Sequence, residues 1–216
     1  MSAADKAKLL ETLPLVVAEN GFEATTVDQI VKVAQVRRNS FYEFFNDKED
    51  CFAAAYEVAQ ERLLGVLTFR CYTRTGLADR VGSALSAGLE MLAANPALTG
   101  LIVVEAPAVG GETAARHHQW LDRYGRMLRF AAMDSPEVVA PKQSVEPAVV
   151  GGIASRIKQL VLVGETERLP RLGPELVQFA LSFYGSLEPS TASAAGDSDE
   201  PPQPQSPDRS SVLEPV

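Results

Sequence analysis

Apolar residues recur along most of this chain at intervals of three and four, the spacing of amphipathic helices. The first such segment places Leu9, Leu13 and Val16 on one face and ends at Asn20–Gly21, a helix C-terminal signal. Pro14 lies inside this segment and removes one backbone hydrogen bond, which predicts a kink. No β-alternation of useful length is present, so the pattern predicts an all-α fold.

Residues 25–52 hold two short helical segments joined by a tight turn. In the first, apolar side chains repeat at i, i+3, i+4 and i+7: Val27, Ile30, Val31 and Ala34. Thr25 or Thr26 can cap this helix, and Gln35–Val36 form the turn. The second helix is predicted over Arg37–Asn46, with two phenylalanines one turn apart on its inner face. Such a pair is typical of the helix-turn-helix, which places its second helix in the major groove of DNA.

The pattern stays helical up to residue 185. Asn46 or Asp47 caps a helix that runs to about residue 74, and further helices are predicted over 77–94, 96–104, 112–132, 147–163 and 174–184. The stretch 133–146 is predicted to be a loop. Residues 186–216 are rich in serine, proline and acidic residues, and they cannot bury enough apolar surface to offset the entropy of ordering. A disordered tail is therefore predicted.

The net charge of −8 is unusual for a DNA-binding protein, so its distribution matters. Beyond residue 185, six acidic residues and one arginine give the tail a charge of −5, which leaves −3 for residues 1–185. The N-terminal part of the chain is not basic overall. Any DNA contact must therefore come from a local patch of the surface.

Composition indicates a soluble globular protein, because apolar residues make up 46% and charged residues 22% of the chain. No apolar run is long enough to cross a membrane, and the first residues lack the apolar core of a signal peptide. Cys51 and Cys71 are too few for a disulfide framework, and about 30 Å apart on one helix they cannot pair. We expect a cytoplasmic protein with two buried thiols and no membrane contact.

The segment from Leu9 to Phe52 resembles the TetR family of one-component transcriptional repressors. The residues that carry the resemblance are Leu9–Leu10, Ala18–Phe22, Ala24–Val27, Ile30, Val33–Ala34, Val36, Ser40–Tyr42, Phe45, Lys48–Glu49 and Phe52. The rest of the chain resembles the family only in its helical architecture and length. The resemblance implies a three-helix DNA-binding domain over 1–50, a larger helical effector-binding and dimerisation domain over 51–185, and a tail over 186–216.

Three residues near the turn depart from the family pattern. Gln35 stands where the family usually has a glycine near left-handed geometry, at a cost of about 1–2 kcal/mol. Arg37 replaces the usual serine or threonine cap, so the recognition helix begins without a strong side-chain cap. Phe44 stands where the family often has histidine or tyrosine, and it cannot donate a hydrogen bond.

The residues expected to contact DNA are Thr26, Arg37, Arg38, Asn39, Ser40, Tyr42, Phe44 and Lys48. The arginines suit guanine edges or phosphates, and the asparagine suits adenine. By the resemblance, the hydroxyl groups and the lysine hold phosphates and set the register, while the phenylalanine packs on a sugar or a thymine methyl. Adjacent arginines at a helix start are also common on a merely solvated face. Glu43 repels phosphate unless it accepts from cytosine or tethers an arginine.

The resemblance also implies a cavity for a small-molecule effector. The residues expected to line it are Phe69, Met91, Glu105, Trp120, Tyr124 and Met127. The last three share one face of the helix predicted over 112–132, at i, i+4 and i+7. Such a stripe more often belongs to a plain helical core. Nothing in the sequence identifies the effector.

A homodimer is the third implication of the resemblance, with the last two helices forming a four-helix bundle with their symmetry mates. The residues expected at this interface are Gly151, Gly152, Ile153, Ile157, Leu160, Val161, Leu176, Phe179, Ala180 and Phe183. The two recognition helices would then lie about 34–36 Å apart and match a palindromic double-stranded operator. The function implied is that of a repressor released from its operator by the effector.

Two other classes of function stay open. An enzyme is not favoured, since the sequence has no Gly-rich phosphate loop, no Gly-x-Ser-x-Gly elbow and no paired-histidine metal motif, and no cofactor is expected. His117–His118 point about 100° apart on a helix and cannot chelate one metal together, although one of them could do so with Glu112 or Asp122. The acidic balance and Glu43 favour a helical partner-binding protein that keeps the fold but has lost DNA contact.

Overall fold

The computed structural model describes residues 3–136, 138–139, 141 and 144–186 of the chain. Its α-helices are α1 (Ala3–Asn20), α2 (Val27–Ala34), α3 (Arg38–Tyr42), α4 (Lys48–Tyr72), α5 (Leu77–Ala94), α6 (Pro96–Gly100), α7 (Ala106–Val109), α8 (Gly111–Met133), α9 (Glu146–Leu162) and α10 (Gly173–Leu181). Leu101–Glu105 form a π-helical turn between α6 and α7, and Thr166–Leu172 form a 3₁₀ helix. The all-α fold predicted from the sequence is confirmed.

Two elements of the C-terminal half differ from the prediction. The 3₁₀ helix occupies a stretch predicted as a connection, and it forms because Leu169 and Leu172, three residues apart, are both buried. Val138–Val139 pair antiparallel with Gly185–Ser186, a ladder too short to leave an alternating pattern in the sequence. The predicted tail over 186–216 lies outside the described residues apart from Ser186.

Buried aromatic side chains hold the N-terminal helices together. Phe22, between α1 and α2, meets Phe52 of α4 edge to face with 4.7 Å between ring centroids. Phe41 of α3 and Phe45 beyond it are buried in the same cluster, which also takes in the apolar faces of α1 and α2. Each such side chain removed from water contributes about 1.5–3 kcal/mol, so the position of α3 is set by its inner face.

The apolar core does not break where the chain was predicted to change domain. α4 is one uninterrupted helix of 25 residues, and its buried side chains belong to a cluster that reaches Trp120 and Tyr124 of α8. The domain boundary near residue 50 therefore stays a prediction. In the described part of the chain, no single helix has the length and apolar character of a membrane span. Within that part, only α5 and the segment Pro96–Val109 taken together, with a bend of 110° between them, reach the length and apolar composition of a span.

Glu146 fixes the start of α9 against α8. Its buried carboxylate accepts hydrogen bonds from the Arg129 guanidinium and the Ser144 hydroxyl, each at 2.8 Å. Burial alone would raise the pKa of Glu146, but the bonds from Arg129, its own backbone N–H and Ser144 outweigh burial and hold the pKa below the ordinary 4.5.

We expect Glu146→Gln to lower the free energy of unfolding at pH 7 by about 1.5–3 kcal/mol, because charge-assisted hydrogen bonds are lost. A carboxylate with a depressed pKa stabilises the fold fully above its unfolded pKa and loses that contribution as the pH falls through the folded pKa. The difference from wild type should therefore shrink below about pH 4, as measured by urea unfolding. Glu175→Gln is the control, since Glu175 forms only a solvated pair with Arg156. An unchanged difference at low pH would contradict this account.

Candidate nucleic-acid interface

The helix-turn-helix begins with a complete capping box at α2. The Thr26 hydroxyl accepts from the Gln29 N–H at 3.3 Å, and the Gln29 carbonyl oxygen accepts from the Thr26 N–H at 2.8 Å. Thr26 is thus confirmed as the cap of α2. Its hydroxyl is engaged with Gln29, and DNA contact by Thr26 stays a prediction.

The turn between α2 and α3 depends on one strained residue. Gln35 has φ 54° and ψ 42°, which is left-handed backbone geometry that side chains other than glycine rarely adopt. Among the described residues it is the only non-glycine with positive φ. The Val36 N–H donates to the Val31 carbonyl at 3.0 Å and closes the turn. The prediction that Gln35 takes the glycine position of the motif is confirmed.

Helix α3 is shorter than predicted. It spans Arg38–Tyr42, whereas the sequence predicted a helix up to Asn46. The N–H groups of Phe44 and Phe45 both donate to the Phe41 carbonyl at 3.0 Å, so the chain tightens and turns after Tyr42. Arg37 is the N-cap and makes no side-chain capping bond, as predicted. A helix of five residues has little stability of its own, and burial of its inner face must hold it in place.

The outer face of α3 carries most of the predicted DNA contacts. Arg37, Arg38 and Asn39 are exposed, and 48% of the Tyr42 surface is accessible to solvent. Ser40 is half-buried. Phe44 is also half-buried and packs against the core, so its ring has only one side free. Exposed Glu43 lies on the same short segment. The structure therefore groups a compact polar surface of mixed charge at one end of the molecule.

Arg38 is held by neighbours before any ligand arrives. Its guanidinium pairs with the Asp28 carboxylate of α2 and donates to the Tyr42 hydroxyl at 3.1 Å. It also lies 5.5 Å from the centre of the Tyr42 ring, within cation–π range. Asp28 was not predicted from the sequence as a partner of Arg38. The signal was its position in the first turn of α2, which the fold brings next to the start of α3.

The Lys48 side chain is bound within the helix-turn-helix region and does not project freely into solvent. Its ammonium donates to the Phe22 carbonyl at 3.1 Å and to the Glu23 carbonyl at 2.9 Å, and it lies 4.6 Å from the centre of the Phe22 ring. These bonds tie the start of α4 to the connection between α1 and α2. Two of the three N–H groups of the ammonium are thus engaged within the chain. Phosphate contact by Lys48 stays a prediction, for which one N–H group remains.

A largely apolar cavity of about 140 Å³ lies between α4, α5, α8 and α9. Tyr124 and Met127 line it, as the sequence analysis expected. The other four expected residues do not: Phe69 and Met91 border an outer groove, Trp120 donates to Glu57, and Glu105 accepts from the Phe22 N–H beside the helix-turn-helix. Helical periodicity assigns a residue to an inner or an outer face of its own helix. It does not show which neighbouring helix packs against that face.

A chain of polar groups crosses one wall of this cavity. The Tyr124 hydroxyl donates to the Gln60 carbonyl oxygen at 2.5 Å, and the Gln60 amide donates to the Tyr56 hydroxyl at 2.6 Å. The Tyr56 hydroxyl in turn lies 2.9 Å from Nδ1 of His117. Burial is the main cause that raises the pKa of both tyrosines, so both stay protonated at neutral pH. Sequence patterns gave no sign of this network, since its directly bonded members lie up to 64 residues apart.

Glu105 connects the cavity region with the helix-turn-helix. Its carboxylate accepts the Phe22 N–H at 3.2 Å, across 83 residues of sequence. In the same π-helical turn, Ile102 and Val103 line the cavity. Within the described residues, no cluster of three or more histidine, cysteine, aspartate or glutamate side chains could hold a metal ion. Cys51 and Cys71 are buried free thiols, as predicted.

Residues 16–55 match the profile described as "Bacterial regulatory proteins, tetR family". The match contains all of α2 and α3 with the adjoining parts of α1 and α4. Over these residues the helix-turn-helix is similar to that of the TetR family. No curated protein matches the chain in sequence.

Solved structures extend the likeness beyond the helix-turn-helix. The fatty acid degradation regulator FadR from Bacillus halodurans has a TM-score of 0.71 and 18% identity, over 81% of this chain and 97% of that one. FadR from Bacillus subtilis, solved with stearoyl-CoA, has a TM-score of 0.72 and 16% identity, over 82% of this chain and 98% of that one. The efflux-pump repressor SmeT from Stenotrophomonas maltophilia has a TM-score of 0.62 and 18% identity, over 83% of this chain and 89% of that one. At these identities the similarity establishes a TetR-like fold along the chain.

The residues expected at a TetR-type dimer interface fall into two groups. Ile157, Leu176 and Ala180 are buried within the single chain, so they have almost no surface to offer a second copy. A Cβ at Gly152 would lie 2.9 Å from the Phe179 ring, so this glycine serves packing between α9 and α10 of one chain. The half-buried and exposed group comprises Gly151, Ile153, Leu160, Val161, Phe179 and Phe183, joined by exposed Leu162 and Val163.

Proposed function

We propose that this chain is a ligand-responsive transcriptional repressor of the cytoplasm, which binds a palindromic operator as a homodimer and is released by a small-molecule effector. The observation that carries the proposal is the geometry of α3. Buried Phe41 fixes one side of the helix, and the other side presents Arg37, Arg38 and Asn39 to solvent. A short, rigidly seated helix with such an outer surface is suited to the major groove.

Each side chain of this surface has a distinct part in the proposal. The Arg37 and Arg38 guanidinium groups meet guanine edges or phosphates, and the Asn39 amide reads adenine. The hydroxyl groups of Ser40 and Tyr42 hold phosphates and fix the register, together with the N-terminus of α2. Arg38 exchanges Asp28 for DNA when the complex forms. Lys48 acts mainly by keeping α4 fixed to the domain.

Dimerisation in the proposal uses the solvent-facing side of α9 and α10. Phe179 and Phe183, at 36% and 38% exposure, contact each other edge to face, and Leu162 and Val163 at the end of α9 are exposed as well. Exposed apolar side chains grouped in this way favour an interface. The resulting twofold axis sets the two copies of α3 one helical turn of DNA apart.

Effector release in the proposal relies on the cavity and its two connections to the DNA-binding end. α4 carries Gln60 at the cavity and Lys48 at the helix-turn-helix, and the π-helical turn carries Val103 at the cavity and Glu105 at Phe22. A ligand that repositions either element changes the separation of the two α3 helices. Near-complete release requires a preference of about 5 kcal/mol for the released state.

Arg38→Ala tests base reading at α3. We expect the affinity for the selected operator to fall by about 1–3 kcal/mol if the guanidinium reads a base. The measurement is a titration of duplex at fixed salt. Arg126→Ala, an exposed arginine of α8, is the matched control and should leave the affinity unchanged. Equal affinity of Arg38→Ala and wild type would remove Arg38 from the set of reading residues.

The whole proposal is tested by selecting bound sequences from a random duplex pool, from which a palindrome should be enriched. A second candidate, a partner-binding protein without DNA contact, is favoured by exposed Glu43 beside the arginines and by the net charge of −8. A salt series separates the two. A dimer that neutralises several phosphates gives a steep log–log slope, whereas a flat response and no enriched palindrome would favour the second candidate.

A further inference from the structure

The cavity between α4, α5, α8 and α9 has an almost entirely apolar inner surface. Among the described residues, no aspartate, glutamate, lysine or arginine lines it. The Tyr124 hydroxyl and the Gln60 carbonyl oxygen are bonded to each other, so both have a partner within the chain. A polar or ionised ligand group enclosed there would lose its hydration without compensation. The enclosed part of a ligand must therefore be hydrocarbon.

The cavity is long and narrow and follows the axes of the helices that enclose it. Gln60 and Cys71 both line it and are eleven residues apart on α4, which is about 16 Å at the α-helical rise. Val81 and Leu92 line it on α5 and are equally far apart. A spherical space of 140 Å³ would be only about 6 Å across, little more than one helical turn. The same volume extended over about three turns has the width of one alkyl chain.

Contacts between the helices show that these lining stretches lie side by side. At the start of α5, the Arg80 guanidinium donates to the Arg74 carbonyl just beyond α4 at 3.0 Å and to the Ala131 carbonyl near the end of α8 at 3.4 Å. Farther along α5, a Cβ at Gly88 would lie 2.7 Å from the Leu67 side chain of α4. α5 therefore runs antiparallel to α4, and the two helices line the same elongated space.

We propose that the effector enters this cavity with an unbranched alkyl chain of about ten to twelve carbons. A staggered chain advances about 1.25 Å per carbon, because each C–C bond is about 1.5 Å long, so about twelve carbons fill the lined length. A ring or a branched skeleton with the same number of carbons is too wide for this space. The inference rests on the proposed function, because it names the ligand class of the same regulator. A compact ligand is the opposing outcome.

Three uncharged alcohols test the length and the shape of the ligand by calorimetric titration of the full-length protein: hexan-1-ol, decan-1-ol and cyclododecanol. Each carries one hydroxyl group, so the cost of that group cancels in the comparison. Each methylene withdrawn from water raises the affinity about 3- to 4-fold, so decan-1-ol should bind roughly 100-fold more tightly than hexan-1-ol. Cyclododecanol has more carbons but closes them into a wide ring, and it should bind at least about 10-fold more weakly than decan-1-ol.

Three results of these titrations would overturn the proposal. They are equal or tighter binding of cyclododecanol relative to decan-1-ol, equal binding of the two linear alcohols, and binding of none of the three compounds.

A pair of variants on α5 locates the chain in this cavity. Ala84 is buried and lines the cavity one turn from Val81, whereas Ala87 lines the outer groove. Ala84→Leu should weaken decan-1-ol binding about 10-fold or more and hexan-1-ol binding about 3-fold or less, because the shorter chain fits the remaining length. Ala87→Leu is the matched control and should change neither. Equal losses for the two alcohols in Ala84→Leu, or the same selective loss in Ala87→Leu, would overturn the placement.

Should Ala84→Leu fail to fold, Ala154→Leu on α9 gives an independent reading. Ala154 lines the same cavity from a half-buried position. Urea unfolding without ligand verifies that each variant is folded. A folded Ala154→Leu should again bind decan-1-ol more weakly while it retains hexan-1-ol, and wild-type affinity for both alcohols would overturn the placement.

Failure of this inference is distinguishable from failure of the proposed function. Operator selection is carried out without ligand, so an enriched palindrome together with no preference for decan-1-ol refutes only the ligand class. A preference for decan-1-ol without any enriched palindrome refutes the regulator and leaves a protein that binds alkyl chains. Decan-1-ol should also weaken operator binding in wild type and lose that effect in Ala84→Leu.

Discussion

Replacing Phe41 with alanine is expected to lower the free energy of unfolding by about 3–5 kcal/mol, the usual cost of removing a buried phenylalanine. The Phe41 side chain is fully buried, and its ring centroid lies 5.5 Å from that of Phe45 and 5.3 Å from that of Tyr42. α3 has no side-chain cap and only five residues, so little else holds it. Urea unfolding at pH 7 measures the loss. Amide hydrogen exchange should show it first in α2 and α3.

Phe69→Ala is the matched control, because the same side chain is removed from a position with 67% exposure. Its effect should stay within about 0.5 kcal/mol, as is usual for surface substitutions. DNA binding should be lost in Phe41→Ala and retained in Phe69→Ala. If the two variants were equally stable, the inner face of α3 would not be what positions the recognition surface.

Phe183→Ala is expected to raise the dissociation constant of the dimer by roughly 5- to 50-fold. A twofold interface contains each residue twice, and burial of a whole phenylalanine contributes about 1.5–3 kcal/mol, of which only the exposed part of Phe183 remains to be gained. Phe183 is 38% exposed in the turn after α10, and its ring lies 5.4 Å from that of Phe179. Sedimentation over a dilution series measures the change. Binding to a full palindrome should weaken, while binding to a single half-site should not change.

The control is Phe130→Ala, which removes a phenylalanine with 61% exposure on α8, outside the proposed dimer surface. The dissociation constant of the Phe130→Ala dimer should equal that of wild type. A monomeric wild-type protein, or equal dissociation constants for the two variants, would contradict the interface at α9 and α10. The Phe130→Ala protomer should keep the stability of the wild-type protomer, since the Phe130 side chain is largely solvated.

Local features were predictable because their causes lie within a few residues. The Thr26 cap depends on Gln29 three positions later, and the left-handed geometry of Gln35 was expected from the glycine position of the resembled motif. α5 begins and ends where the sequence predicted, at Leu77 and Ala94, because its apolar repeat is long.

Features set by distant partners were not predictable. α3 ends early because Phe41 and Phe45 must enter the same core, and Lys48 is taken up by two carbonyls that lie 25 and 26 residues away. Trp120 and Tyr124 lie on one face of α8, yet the first meets Glu57 and the second meets Gln60 at the cavity. Periodicity fixes a face but not the helix that packs against it.

The ion pair between Arg38 and Asp28 sets a threshold for any duplex that approaches α3. A solvated ion pair of this kind contributes about 0.2–1 kcal/mol. In the proposed complex, a phosphate must supply at least this free energy to bind the guanidinium in place of Asp28. A guanine contacted through two hydrogen bonds supplies about 1–3 kcal/mol and exceeds that amount. Any duplex that recruits the guanidinium bears the same cost, so in the proposed complex the carboxylate of α2 lowers overall affinity and leaves selectivity to the base contact.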